Sequence, residues 1–195
     1  THIATPPPPG ARDDAGWHAV VGMNYILGGG SFDARLMREV REKRGLTYGI
    51  YSALLNMKYG NILQITLSTS NDKAQEALGV IRDELKRMAS EGVTDAELAD
   101  AKSYLIGSLP LELASTSDIA NVLSSLQRDG LAPAYLAERE KAIKSVSSDD
   151  IKKLAARLLD PAKMTTILVG QPEGINVDTL LDSAPGLPAP SDSKR

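Results

Sequence analysis

The stretch REKRGLTY, residues 41–48, sets a guanidinium at Arg41 and a phenol at Tyr48, seven positions apart. Arginine offers five N–H donors in a planar fork that suits a peptide carbonyl or a carboxylate. A tyrosine hydroxyl can donate to an oxygen on which negative charge develops. Spacing alone also allows a plainer account, with Arg38, Arg41 and Glu42 facing solvent from a helix whose inner side carries Leu36 and Val40. A shared role stays open because Gly45 falls where a helix ends in a left-handed residue before the chain reverses. That reversal brings the end of the helix and the first residues of a strand, Tyr48 among them, to one edge. Both groups could then meet one ligand.

Other chemistry is thin. LGGGS at 27–31 invites a phosphate-loop reading, but it follows a helix and no lysine comes after it. A sharp helix-to-helix turn with glycine at positive φ is the better account. His2 and His18 are the only histidines, and neither has a second imidazole at i+4 or a glutamate at metal spacing. A His-Glu zinc site needs at least two imidazoles on one face, so no metal ligand is assigned in this chain. The absence of cysteine removes disulfides, thiolate zinc sites and cysteine nucleophiles. Glu84, Glu91, Asp95, Glu97 and Asp100 fall at helix-face and capping positions rather than in an acid–base pair.

The composition excludes several classes. Among 195 residues, 42% are hydrophobic and 24% charged, which suits a globular domain with a real core. With 22 Lys+Arg spread among 25 Asp+Glu, the net charge is −3 and no basic stripe favours nucleic acid or an anionic membrane. No apolar run approaches the ~20 residues of a membrane span. The chain opens at Thr1 rather than Met, and a processed or excised piece of a longer protein is expected. Lack of cysteine fits a periplasm, which is the expected location, and a cytosol remains open.

The positioning elements follow from periodicity. Residues 1–16 are proline-rich and read as a linker, 172–195 as a flexible tail, and 17–171 as the globular part. A helix is expected over 17–27 with Trp17, Val20, Val21, Asn24 and Leu27 on one face, broken by the glycines at 28–30. Ser31 is placed to cap a second helix running to Arg44, with Phe32, Leu36 and Val40 inside. Strands over 46–55 and 61–69, joined by the five residues NMKYG, suggest a hairpin. A stripe of Ala74, Leu78, Ile81, Leu85 and Met88 predicts a helix closed by Gly92. Thr94 with Glu97 forms a capping box for the next, which runs toward Pro110. Further helices are expected through Ile119, Val122, Leu123 and Leu126, at 133–145 and at 148–159, before a last strand at 164–170. Helices grouped rather than alternating with strands imply an α+β fold, with a mainly antiparallel sheet covered on one face by several helices.

Residues 24–52, NYILGGGSFDARLMREVREKRGLTYGIYS, resemble the opening of the carboxy-terminal, zinc-free half of the pitrilysin/insulinase peptidases, which include the mitochondrial processing peptidases. The similarity continues through ELADAKSYLIGSLPLEL (97–113), GLAPAYL (130–136) and DPAKMTTILVG (160–170). The stretch from Leu27 to Tyr48 carries it most specifically. The resemblance implies one half of a two-lobed clamshell, whose amino-terminal half bears an inverted His-x-x-Glu-His zinc motif. Its carboxy-terminal half supplies an arginine and a tyrosine, which map onto Arg41 for holding substrate and Tyr48 for stabilising the oxyanion. The zinc half is missing here and so is its motif.

What this implies is the substrate-binding half of a zinc-dependent endopeptidase, with no cofactor of its own, zinc in the partner half, and no hydrolysis alone. Its partners would be a zinc-bearing amino-terminal half or subunit and a peptide substrate, with homo- and hetero-dimers both open. A non-catalytic structural or regulatory subunit, or a peptide-binding module using an exposed sheet edge, remains the alternative.

Overall fold

Leu63, Ile65 and Leu67 alternate with Gln64, Thr66 and Ser68, a pattern that demands a sheet with one dry face. The computed structural model describes residues 1–5, 16–30, 32–57 and 60–180. In it, strands β1 (His2–Ala4), β2 (Ile50–Met57), β3 (Gly60–Leu67) and β4 (Thr165–Ile167) form an antiparallel sheet in the order β2-β3-β1-β4. Ile50 pairs with Leu67, and Ile65 lies between Ser52 and Ile3. On that face Ile3, Ile50, Leu63, Ile65 and Leu67 are buried. The other face carries Tyr51, Thr66 and His2, whose ring Nδ1 lies 3.1 Å from both Thr66 Oγ1 and Gln64 Nε2.

The helices are α1 (Trp17–Asn24), α2 (Ala74–Glu91), α3 (Asp95–Gly107), the short α4 (Leu109–Glu112), α5 (Thr116–Arg128), α6 (Tyr135–Ser145) and α7 (Ser148–Leu158), and side chains of α1, α2, α3 and α7 fill the core behind the dry face. Two π-wound segments, Tyr25–Gly29 and Met37–Glu42, join them. The stripe Ala74, Leu78, Ile81, Leu85 and Met88 of α2 is buried throughout and packs with Ile151, Leu154 and Leu158 of α7. Thr94 and Glu97 make the expected capping box, and Ser147 with Asp150 makes a second one. The fold is therefore α+β with a four-stranded antiparallel sheet, as the periodicity implies.

Several local expectations need correction. Residues 2–4 form an inner strand of the sheet rather than part of a linker. Residues 6–15 and 181–195 and the proposed cap Ser31 lie outside the described residues. Within the tail, the Glu173 N–H donates to Asn71 O at 3.0 Å and Ile175 packs on the core. The hairpin is tighter than expected, with Met57 paired to Gly60. The glycines at 28–30 do not adopt positive φ. Gly28 is needed for close approach, because a Cβ there would sit 2.8 Å from Ser52 Oγ and 3.0 Å from its backbone N.

A buried ionic network ties the segment before β2 to the helices behind it. Arg35, 6% exposed, forks onto Glu97 with Nε–Oε1 and Nη2–Oε2 both at 2.7 Å. It also donates to Gly92 O at 3.0 Å and Glu84 Oε1 at 3.3 Å. Glu97 in turn accepts from Thr94 N at 2.8 Å, so one carboxylate caps α3 and holds the guanidinium. Burial pushes the Glu97 carboxyl upward, but the hydrogen bonds from Arg35 and Thr94 outweigh it and bring it to about 2. The hydrogen bond from Lys43 is the main cause that brings Glu39 down to about 2, against its partial burial and with help from Arg44.

Removing one partner of such a network strands charge in the interior. Arg35→Met is expected to lower the unfolding free energy by about 3–5 kcal/mol in urea titration. Depressed carboxyl pKa values stabilise the folded state above the unfolded-state value of 4.5 and lose that contribution as pH falls toward about 2. Melting temperature should therefore drop across this window, and Glu97→Gln should flatten the drop.

Candidate functional site

Arg41 lies in the second π-wound segment, Met37–Glu42, and Tyr48 in the loop that follows. Where a strand was expected from Leu46, β2 begins only at Ile50, so Tyr48 stands two residues before it. The turn between them is built as anticipated: Gly45 has φ +60 and its N–H donates to Arg41 O at 2.8 Å. Leu46 N–H reaches back to Val40 O at 3.0 Å, and the Leu46 side chain is buried.

The loop is pinned on both sides of the tyrosine. Thr47 Oγ1 lies 2.6 Å from Ser68 O and 2.8 Å from Gly49 O, and accepts from Gly49 N–H at 3.1 Å. Thr69 Oγ1 donates to Leu46 O at 2.6 Å, and Lys73 Nζ to Gly45 O at 3.2 Å. Tyr48 itself is 97% exposed. Its hydroxyl has no hydrogen-bond partner among the described residues, so a fixed backbone presents a free phenol.

The cations of this segment divide into two kinds. Glu39, nearly buried, gathers Lys43 at 2.8 Å, Arg44 at 3.0 Å, Arg87 at 3.8 Å and Arg38 at 3.9 Å. Arg35 is held by Glu97 and Glu84. Arg41 alone among the cations at 35–44 meets no carboxylate among the described residues. Its guanidinium carbon instead lies 5.0 Å from the centroid of the Phe32 ring. Phe32, expected on the inner stripe, is 61% exposed, whereas Leu36 and Val40 are fully buried. The structure thus leaves Arg41 without a carboxylate partner among the described residues and Tyr48 exposed, with a short, hydrogen-bonded turn between them.

The remaining candidates do other work. His18 stacks on Tyr135 at 6.0 Å. Burial, then Arg139, pushes its pKa down. It lines a 710 Å³ open cavity between α1, α6 and α7 that includes no residue of the Arg41–Tyr48 segment. Among the described residues no three of His, Cys, Asp and Glu converge as metal ligands. Glu84 and Glu97 are structural, as their spacing implied, Glu84 buried and Glu97 half-buried, and both are paired with Arg35. Sequence reasoning missed Phe32 beside Arg41 and the buried roles of Arg35 and Glu39. The available signal was Arg35 flanked by Ala34, Leu36 and Met37, too apolar a setting for a solvated helix face.

Residues 3–105 match the family described as the peptidase M16 inactive domain. An uncharacterized zinc protease of Streptomyces coelicolor is 31% identical over 158 residues, 81% of this chain and 34% of the relative. The chain therefore spans about a third of the length of the curated relatives it matches. A relative from Helicobacter pylori, named a non-peptidase homolog, is 32% identical over 99 residues, 51% of this chain and 23% of the relative. A solved peptidase M16 inactive domain from Pseudomonas fluorescens superposes with a TM-score of 0.74 at 34% identity, covering 84% of this chain and 39% of that one.

The matched span includes the Gly45 turn, where φ +60 disfavours any side chain although open space surrounds the position. Gly45→Ala is expected to cost about 1–2 kcal/mol through backbone strain alone, read by chemical denaturation.

Proposed function

Because the chain belongs to the peptidase M16 inactive domain family, we propose that it is the substrate-binding, zinc-free half of a zinc-dependent endopeptidase. The relatives named zinc proteases are about three times as long as the portion matched here, which leaves room for a separate half that carries the metal. A zinc ion held there would supply Lewis-acid polarisation and an activated water. This chain's residues do the rest. Arg41 grips a backbone carbonyl or carboxylate of the bound peptide with its fork of donors. Tyr48 donates its hydroxyl proton in a hydrogen bond to the carbonyl oxygen as that oxygen gains negative charge during attack.

The observation that carries the proposal is the partition of cations. Arg35, Arg38, Lys43 and Arg44 are spent on Glu39, Glu84 and Glu97, and Arg41 is left without a carboxylate among the described residues, seven positions from the exposed phenol of Tyr48. A scaffold has no use for an uncompensated guanidinium and a tyrosine fixed in solvent. A purely structural subunit is the second reading, and the Helicobacter pylori relative named a non-peptidase homolog favours it. That reading is supported if the chain purifies in a stable assembly without proteolytic activity from any partner.

In the assembled enzyme, Tyr48→Phe should lower kcat about 10²–10³-fold with little change in KM, as expected for a lost oxyanion donor. Unchanged turnover in a peptide-cleavage assay would remove Tyr48 from the mechanism.

A further inference from the structure

We propose that Phe32 is a positioning residue for Arg41, holding the guanidinium extended and uncommitted so that its donors remain open to the peptide. The inference rests on the substrate-binding reading of Arg41. It starts from an apolar side chain in the wrong place for packing: Phe32 is 61% exposed, while Ala34, Leu36, Met37 and Val40 of the same segment fill the core. What the ring does touch is Arg41, at 5.0 Å from centroid to guanidinium carbon. That is inside the ~6 Å range of a cation–π contact.

The chemistry explains why a ring stands where every neighbouring cation has a carboxylate. A carboxylate would hold Arg41 firmly, as Glu97 holds Arg35 through both of its oxygens. It would also occupy the fork and cancel the charge that a substrate oxygen needs. An aromatic face attracts the cation through its quadrupole and uses none of the in-plane N–H donors. The long side chain then has fewer rotamers to lose when a peptide binds, which lowers the entropic cost of recognition. Glu39, the carboxylate two residues before Arg41, faces away from it on the helical winding. It is taken up by Lys43, Arg44, Arg38 and Arg87, so the segment's only nearly buried carboxylate is already surrounded.

The test uses steady-state kinetics on a peptide substrate with the chain assembled with its zinc-bearing half. Phe32→Leu should raise KM about two- to fivefold, the size of an exposed cation–π contact, and leave kcat close to wild type. Phe32→Trp and Phe32→Tyr should keep KM near wild type, because they restore a ring and not merely an apolar volume. The Leu effect should vanish when Arg41 is already Gln, since the ring then has nothing to hold. In the 195-residue chain by itself, the Arg41 side-chain proton resonances, displaced by the ring current, should return to ordinary positions in Phe32→Leu. Equal KM values for the Leu and Trp variants would overturn the proposal, as would a Leu effect that persists undiminished beside Arg41→Gln, or Arg41 resonances that do not move. If Arg41→Gln changes neither KM nor kcat, the substrate-binding reading fails, and the positioning role with it. If Arg41→Gln is damaging while Phe32→Leu is silent, only the positioning role fails.

Discussion

One buried guanidinium holds the site-bearing segment in place. Arg35 is taken out of water and must find partners for a charge that the interior cannot solvate. It finds them on two different helices and a helix-ending carbonyl: Glu84 of α2, Glu97 of α3 and Gly92 O between them. Because Glu97 also caps α3 through Thr94, the same carboxylate fixes where that helix starts and where the segment preceding β2 lies. Neutral packing could supply comparable stability, but it would not specify the register so tightly. A bidentate fork accepts few orientations.

From that anchor the geometry of the site follows by short steps. Arg35 begins the helical segment, whose π winding over Met37–Glu42 turns Glu39 toward Lys43 and Arg44 and leaves Arg41 outside the cluster. The left-handed Gly45 closes the segment, and Leu46 buries its side chain against the core. Thr47 and Thr69 then stitch the loop to the end of β3. Between Arg35 and Tyr48 the chain has moved from charges used to hold the fold to a charge and a phenol kept free of it.

The fold was largely legible because its signals are local and periodic. The stripe on α2, the capping box of Thr94 and Glu97, and the alternation along β3 each need only neighbouring residues to be read. β1 was not, since three residues among prolines and polar groups carry no periodicity, and only their pairing with Thr66, Ile65 and Gln64 makes them a strand. The glycines at 28–30 misled for a related reason. Glycine signals either positive φ or close approach, and it is Ser52, 24 residues on, that decides for the latter at Gly28. Phe32 was assigned inward on a period of 3.6, whereas the turn at 32–34 and the wider π winding shift which residues share a face.

By itself, the sequence determined the residue types available for chemistry, a guanidinium and a phenol on either side of a glycine turn without a His-x-x-Glu-His motif, and the α+β class that carries them. Only the tertiary structure decided which charges are free. Whether an arginine is neutralised depends on carboxylates contributed by segments far along the chain, as Glu84 and Glu97 are for Arg35. Such pairings arise when helices pack and water is excluded, so no pattern of neighbours along the chain can encode them.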